Sequence, residues 1–150
     1  MRIYLKLGTV QGDSKAKGHV GWIEVDSASF GVGRGQQYGT SGGSTPTVHD
    51  MLFTKQTDSS SATLFRMATG AGQPQLATVD FVDNDGDVFL RVELSDTVVA
   101  AFSVSGTKGG RSVENFTLNF GKMVTRHFTA DTTTEALEVL HQLLFTQVYQ

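Results

Sequence analysis

Residues 19–32 read His19-Val-Gly-Trp-Ile-Glu-Val-Asp-Ser-Ala-Ser-Phe-Gly-Val32. Aromatic and β-branched residues alternate here with polar ones, which favours a strand on a pleated, half-buried surface. The stretch exceeds the usual strand of about five or six residues. We therefore predict one long strand that bends, with Ala28 or Gly31 as the site of the bend. A long bent strand can belong to two sheets at once, as in small barrels and sandwiches.

The composition limits the classes of protein that remain. A chain of 150 residues with 17 glycines and no cysteine fits one β domain with many turns, and it excludes disulfides, thiolate metal sites and a cysteine nucleophile. A net charge of -3 and a pI near 5.7 provide no basic surface for nucleic acid or an anionic membrane. The first residues lack the apolar core of a signal peptide, and no apolar run is long enough to span a membrane. We expect a soluble protein that starts in the cytoplasm.

The rest of the chain reads mainly as strands joined by turns. Apolar residues alternate from Ile3 to Leu7, which predicts the first strand. Asp83–Asp87 predicts a tight hairpin connection, and residues 106–111 predict another. Further strands are predicted over 48–57, 76–82, 88–94, 98–104, 113–120 and 122–128, with Phe116, Leu118 and Phe120 on one face.

Two segments have the period of a helix. A serine among residues 59–61 can cap a short helix that Gly70 or Gly72 ends. Residues 131–145 predict a C-terminal amphipathic helix capped near Asp131. The fold prediction is therefore mainly β: a two-sheet β-barrel with one flanking short helix and a C-terminal helix, divided into a barrel domain over 1–129 and a helical tail over 130–150.

Residues 33–47 contain almost no apolar side chains. Such a loop cannot be ordered by its own contacts, because fixing each residue costs about 1–2 kcal/mol. Two interpretations remain open: a disordered surface loop, or a segment that becomes ordered against another subunit.

Several motifs occur in a fixed order and together resemble the Hcp family, the hemolysin-coregulated proteins that form the inner tube of the bacterial type VI secretion system. The resemblance covers roughly residues 2–129, although Asp13 stands where the family often has glutamate and the tail extends beyond the usual last strand. The matching motifs are Ile3-Tyr-Leu-Lys-Leu-Gly8, Gly12-Asp13-Ser14 with His19, Gly21-Trp-Ile-Glu-Val25, Phe30-Gly31, Phe53-Thr54-Lys55 with Asp58-Ser59-Ser60, and Glu114-Asn-Phe-Thr-Leu-Asn-Phe120 before Lys122.

The resemblance implies a structural protein that catalyses no reaction and needs no cofactor. It implies that six copies form a ring, that rings stack into a hollow tube similar to a contractile phage tail tube, and that a contracting sheath expels the tube. The implied partners are further copies of the chain, the spike, the baseplate, the sheath and secreted effectors in the lumen, but neither nucleic acid nor membrane. Secretion would proceed without a signal peptide.

Two sets of residues are candidates for these contacts. Ser27 and Ser29 share one face of their strand by alternation, and they are small and polar enough to line a lumen. The resemblance favours the loop as the segment that contacts the next ring. The candidate stacking residues are Tyr38, Gly42, Gly43 and Pro46.

Other functions have weaker support. The four histidines lack metal-ligand spacing, and we expect His19 to bond a backbone group where the turn enters the strand. Counted from Asp83, the EF-hand glycine and glutamate positions are Val88 and Leu94, which favours a plain turn over a calcium loop. No Gly-x-Ser-x-Gly motif surrounds the serines at 59–61, and Trp22 is expected in the core or a subunit interface. A monomeric small-molecule carrier remains the alternative, and a hydrolase is a weaker one.

Overall fold

The structure is a computed structural model that describes residues 1–34 and 46–128, together with the backbone of residues 133–140. One short helix and eleven strands make up this part of the chain. In chain order they are β1 (Arg2–Leu7), β2 (Ile23–Val25), β3 (Ser27–Ser29), β4 (Val32–Arg34), β5 (Pro46–Val48), β6 (Met51–Gln56), α1 (Ser61–Ala68), β7 (Gln75–Val82), β8 (Val88–Ser105), β9 (Val113–Asn119), β10 (Lys122–Phe128) and β11 (Thr133–Leu140).

Nine of the eleven strands form two antiparallel sheets that share β8. Sheet A has the order β2-β1-β7-β8-β10-β11, and sheet B has the order β8-β9-β6-β3. The edge strand β2 of sheet A and the edge strand β3 of sheet B are separated in the chain only by Asp26, and they are not paired with each other. The mainly β class and the single short helix are confirmed, and the barrel is open rather than fully closed.

The longest strand is β8, which passes from sheet A into sheet B. Leu90 to Ser95 pair with β10, whereas Val98 to Ser105 pair with β9. The bend falls at Asp96, whose φ of 52° is the one positive value at a non-glycine residue in the described chain. The sequence predicted two strands here because the polar residues around Asp96 interrupt the apolar pattern.

The core lies between the two sheets. Phe53 and Phe116 face each other across β6 and β9, and their rings stack with centroids 4.9 Å apart. Leu64 of α1 is buried against the same core, so the helix covers the inner side of the sheets. Phe116, Leu118 and Phe120 are all buried, which confirms that they share one face.

The predicted long strand over 19–32 is wrong as a single element, but the prediction that this stretch contributes to two sheets is confirmed. Residues 19–22 form a turn in which the Trp22 N–H donates to the His19 carbonyl at 3.1 Å. The strand character begins at Ile23 and divides into β2 in sheet A, β3 in sheet B and β4. The corner between the sheets is Asp26, not Ala28, because the backbone N–H of Asp26 already bonds to the Thr54 carbonyl of β6 at 2.7 Å. The second predicted site, Gly31, lies between β3 and β4.

The predicted C-terminal helix is wrong over residues 133–140. These residues form β11, which pairs antiparallel with β10 from Lys122↔Leu140 to Phe128↔Thr133. Without β11, the outer edge of β10 would leave backbone N–H and C=O groups unpaired, and strand addition satisfies them. The neighbouring threonines Thr133 and Thr134 also favour a strand, so the tertiary partner overrides the helical spacing. Residues 131–132 and 141–150 lie outside the described residues.

The predicted bare loop over 33–47 has a structured base. Val32, Gly33 and Arg34 of β4 pair with Val48, Thr47 and Pro46 of β5 in a separate two-stranded ladder. The strand predicted from residue 48 therefore divides into β5 and β6. Residues 35–45, between the two strands of the ladder, lie outside the described residues.

Candidate functional site

The outer face of sheet B presents small polar side chains in regular cross-strand rows. One row runs Ser29, Leu52, Thr117, Ala101 across β3, β6, β9 and β8, and the next runs Ser27, Thr54, Asn115, Ser103. Thr54 donates its hydroxyl to the Asn115 side-chain oxygen at 2.8 Å. Ser27 and Ser29 are both exposed on this face, whereas Ala28 between them packs against the core.

The strands place no charged side chain on this outer face. Asp50 and Arg111, from the adjoining loops, reach only its edge, where they hydrogen-bond to Asn119 and Gln56. Within β3, β6, β9 and the 98–105 part of β8, the charged residues are Lys55 and Glu114. Both point inward, with exposures of 0% and 2%. Because charged residues make up 18% of the chain, a solvent-facing sheet surface whose own strands contribute none is an unusual feature of this molecule. We refer to it below as the neutral face.

Lys55 and Glu114 form the centre of a buried ionic network under the neutral face. The Lys55 ammonium lies 2.7 Å from Glu114 Oε1 and 2.8 Å from Asp58 Oδ1, and it donates to Ser61 Oγ at 3.1 Å. Thr57 donates to the other Glu114 oxygen at 2.8 Å. Charged groups are tolerated in a protein core only when they are paired with an opposite charge. Because these pairs join residues of three elements, the network holds the end of β6, the start of α1 and β9 together.

The serines at the start of α1 act differently from the prediction. Ser60 is the N-cap residue, but its side chain makes no capping hydrogen bond to the helix backbone. Asp58 instead accepts the Ser60 backbone N–H at 2.9 Å, and the Ser60 hydroxyl also donates to Asp58. Ser61 donates to Glu114 at 2.9 Å. The predicted serine cap is therefore wrong, because the serine hydroxyls are held by carboxylates of the buried network.

Ser59 ties a second segment to this network. Its hydroxyl donates to Asp13, and its backbone N–H donates to Asp13 Oδ2 at 3.3 Å. These hydrogen bonds, the side-chain bond first, lower the pKa of Asp13 below its usual value of 3.8. Gly12 lies so close to the body that a Cβ there would be 2.3 Å from the Trp22 carbonyl oxygen. The loop over 9–22 is thus anchored at Gly12 and Asp13.

The same loop is anchored again through a buried cluster on sheet A. His19 Nε2 lies 2.8 Å from Asp80 Oδ2, and Arg91 bonds both Asp80 oxygens at 2.7 and 2.9 Å. The bond to Asp80 is the main reason that the pKa of Arg91 is raised. The His19 ring stacks on Tyr4 and meets Trp22 edge-on. The prediction that His19 bonds a backbone group is wrong for the ring, because a fully buried carboxylate faces it.

The described residues offer no assembled metal centre. No three His, Asp or Glu side chains in this part of the chain are placed to hold a metal ion. Asp83 accepts the backbone N–H groups of Asp85 and Asp87, which confirms a plain hairpin turn. No helix within the described ranges is long and apolar enough to cross a membrane.

The predicted stacking residues fall mostly outside the described chain. Tyr38, Gly42 and Gly43 lie outside the described residues, and Pro46 is the first residue of β5, opposite Arg34.

The Lys55–Glu114 ion pair was not predicted from the sequence, although the sequence contains a signal for it. Alternation places Lys55 on the same face of β6 as Phe53, and an inward lysine requires a buried carboxylate partner.

These features define a mainly β domain in which the buried Lys55, Asp80 and Glu114 are each paired with an oppositely charged group, and in which the strands of one exposed sheet face carry no charge. A sequence profile of the family described as "Type VI secretion system effector, Hcp" matches residues 4–127. The chain therefore belongs to the Hcp family and is a type VI secretion tube protein.

Several solved structures share the fold of this chain. A structure titled as a type six secretion system protein has a TM-score of 0.84 and 22% identity, covering 93% of this chain and 94% of its own. Hcp1 from Salmonella typhimurium has a TM-score of 0.83 and 22% identity, with 95% of each chain covered. A type VI secretion system effector from Yersinia pestis has a TM-score of 0.78 and 16% identity, covering 92% of this chain and 98% of its own. No curated protein sequence matches the chain.

The family assignment gives two general properties. Hcp proteins are components of the type VI secretion system that assemble into oligomers, and they are secreted by that system. The motifs through which the sequence resembles this family have a structural role in this chain. Their polar residues anchor the 9–22 loop and the start of α1: Asp13, His19, Lys55, Asp58 and Glu114.

Proposed function

We propose that six copies of this chain close into a ring whose central channel is lined by the neutral face, and that rings stack into a tube. The observation that carries the proposal is that the strands of sheet B place no charged side chain on its exposed surface, in a protein of the Hcp family. Small hydroxyl and amide groups keep such a surface wetted without holding a passing polypeptide tightly. Ser27 and Ser29 would then form rings of hydroxyl groups in the lumen.

Head-to-tail contacts can produce both levels of assembly. Around the ring the rotation closes after six copies, whereas along the axis the same kind of contact leaves an open stack. The β4–β5 ladder is a separate two-stranded sheet in the chain between β3 and β6, and the segment joining its two strands is the part that would contact a neighbouring ring. Tyr38, Gly42, Gly43 and Pro46 would lie at that contact.

The proposed work of the tube is mechanical rather than catalytic. The chain would be made in the cytoplasm, assembled on a baseplate and spike within a sheath, and expelled by sheath contraction with effectors in its lumen. The division into a tube domain over 1–129 and a tail over 130–150 belongs to the same proposal. The rival function, a monomeric small-molecule carrier, requires an apolar interior cavity for its ligand, whereas the space between the sheets holds the buried rings of Phe53, Phe116 and Phe120.

Single cysteines test which face lines the channel, because the chain has none of its own. Ser29→Cys is labelled with maleimide-gold and the rings are imaged by negative stain. Thr63→Cys, on the exposed side of α1 and behind the core from the neutral face, is the matched control. We expect gold in the channel for Ser29→Cys and outside it for Thr63→Cys. Gold from Ser29→Cys on the ring periphery would contradict the proposed orientation.

A second variant tests the role of the lumen in carrying cargo. Ser29→Trp should leave ring assembly intact, since the side chain points away from the core. It should also abolish the stabilisation of a co-expressed effector by narrowing the channel. An effector that co-purifies equally well with Ser29→Trp would overturn this part of the proposal.

A further inference from the structure

The neutral face also presents exposed aliphatic side chains. Leu52 is 46% exposed, with Ser29 and Thr117 as its cross-strand neighbours. Val98 and Val113 lie on the same face and are 40% and 37% exposed. Single exposed apolar residues are common on protein surfaces, but here three of them occupy a surface whose strands contribute no charged side chain, and Asp50 and Arg111 reach only its edge.

This combination restricts which partner can bind. A charged group pressed against the neutral face would lose its water without gaining an opposite charge, and that desolvation is unfavourable. An aliphatic group placed against Leu52 would instead remove apolar surface from water on both sides. The surrounding hydroxyl and amide groups can hydrogen-bond to a partner's backbone. The surface is therefore complementary to an uncharged polypeptide with aliphatic side chains.

We propose that the neutral face binds uncharged, extended polypeptide segments that carry aliphatic side chains, with Leu52 as the principal apolar contact. This inference rests on the proposed function in that it assigns a chemical class of cargo to the channel wall. Since no ion pair contributes, the affinity is nearly independent of salt concentration.

Defined peptides test the inference. The probes are a fluorescein-labelled Gly/Ser/Thr peptide with several leucines and two matched peptides in which lysine or glutamate replaces the leucines. Binding to the full-length protein is followed by fluorescence anisotropy at low and high NaCl. We expect the leucine peptide to bind with less than about a twofold change across the salt range. Both charged peptides should bind at least about tenfold more weakly.

Two matched leucine variants assign the contact. Leu52→Ser should weaken binding of the leucine peptide about tenfold, because it removes the largest exposed apolar group of the face. Leu76→Ser alters a leucine that is 70% exposed on sheet A and should leave binding unchanged. Equal binding of the three peptides, a strong decrease of affinity with salt, or equal effects of the two variants would overturn the inference.

Native mass spectrometry of the same samples separates this inference from the ring proposal. Rings that bind none of the peptides would overturn the inference while the ring proposal stands. A single-chain mass with the expected peptide preference would overturn the ring but support the chemistry of the face. If Leu52→Asp abolishes ring formation and no peptide binds, the neutral face is an interface between copies, which also overturns the inference.

Discussion

Replacing Lys55 by methionine should be among the most destabilising single substitutions in this chain. The change keeps a long side chain but removes the ammonium that lies 2.7 Å from Glu114 and 2.8 Å from Asp58. Glu114 is 2% exposed, so its carboxylate cannot recover water in place of the lost partner. Removing one member of a buried ion pair costs about 3–5 kcal/mol. In a domain of this size each kcal/mol lowers Tm by about 2–4 °C, which gives a decrease of about 6–20 °C.

The assay is urea unfolding followed by fluorescence of Trp22, the one tryptophan of the chain. All variants are compared at one protein concentration, because assembly would otherwise shift the apparent stability. Lys108→Met is the matched control. Lys108 is exposed, and the change there should stay within about 0.5 kcal/mol.

A double variant tests the pairing itself. Glu114→Leu removes the other member, so Lys55→Met with Glu114→Leu should cost clearly less than the sum of the two single changes. The reasoning is refuted if Lys55→Met alone stays within about 1 kcal/mol of the wild type. Additive single costs would refute the direct coupling between Lys55 and Glu114.

Two further predictions concern the anchored 9–22 loop. Gly12→Ala should destabilise the protein by about 1–3 kcal/mol, because the added Cβ would lie 2.3 Å from the Trp22 carbonyl oxygen. The control is Gly31→Ala, whose Cβ meets nothing within 4 Å and which should be nearly neutral. Equal unfolding midpoints for the two variants would contradict the close approach at Gly12. Ser59→Ala should raise the pKa of Asp13 toward 3.8 in an NMR titration, since the lowered pKa comes first from the Ser59 hydroxyl. In the wild type the stabilisation linked to Asp13 is present above the pKa that Asp13 has in the unfolded chain, and it is lost as the pH falls through the lower pKa of the folded state. An unchanged Asp13 titration in Ser59→Ala would contradict the Ser59 hydroxyl as the cause of the lowered pKa.

Most of the β elements could be predicted from local pattern. The alternation of Ile3, Leu5 and Leu7, the hairpin at Asp83–Asp87 and the shared face of Phe116 and Leu118 depend on neighbouring residues only. The helix at 61–68 was also predictable, because its period differs from that of the flanking strands.

The errors arise where distant partners decide the structure. Residues 133–140 have a helical apolar spacing, yet the free edge of β10 makes a strand the better state. The bend of β8 at Asp96 cannot be read locally, since β10 and β9 pair with its two halves. The partner of His19 is Asp80, sixty-one residues away, and no spacing rule connects them.

The candidate surface was predictable only in part. Alternation alone puts Ser27 and Ser29 on one face, but it does not say which neighbouring strands extend that face. The cross-strand register brings Leu52, Thr54 and Asn115 beside them and turns Lys55 and Glu114 inward. The absence of charge from the surface is therefore a property of the sheet rather than of any one strand.

The central claim is that this chain works by closing with further copies around a channel. Native mass spectrometry of the full-length protein, with negative-stain images of the same sample, tests it most directly. The account predicts a dominant species of six times 16.1 kDa and annular particles. A mass of 16.1 kDa at every concentration, with no annular particles, would contradict it.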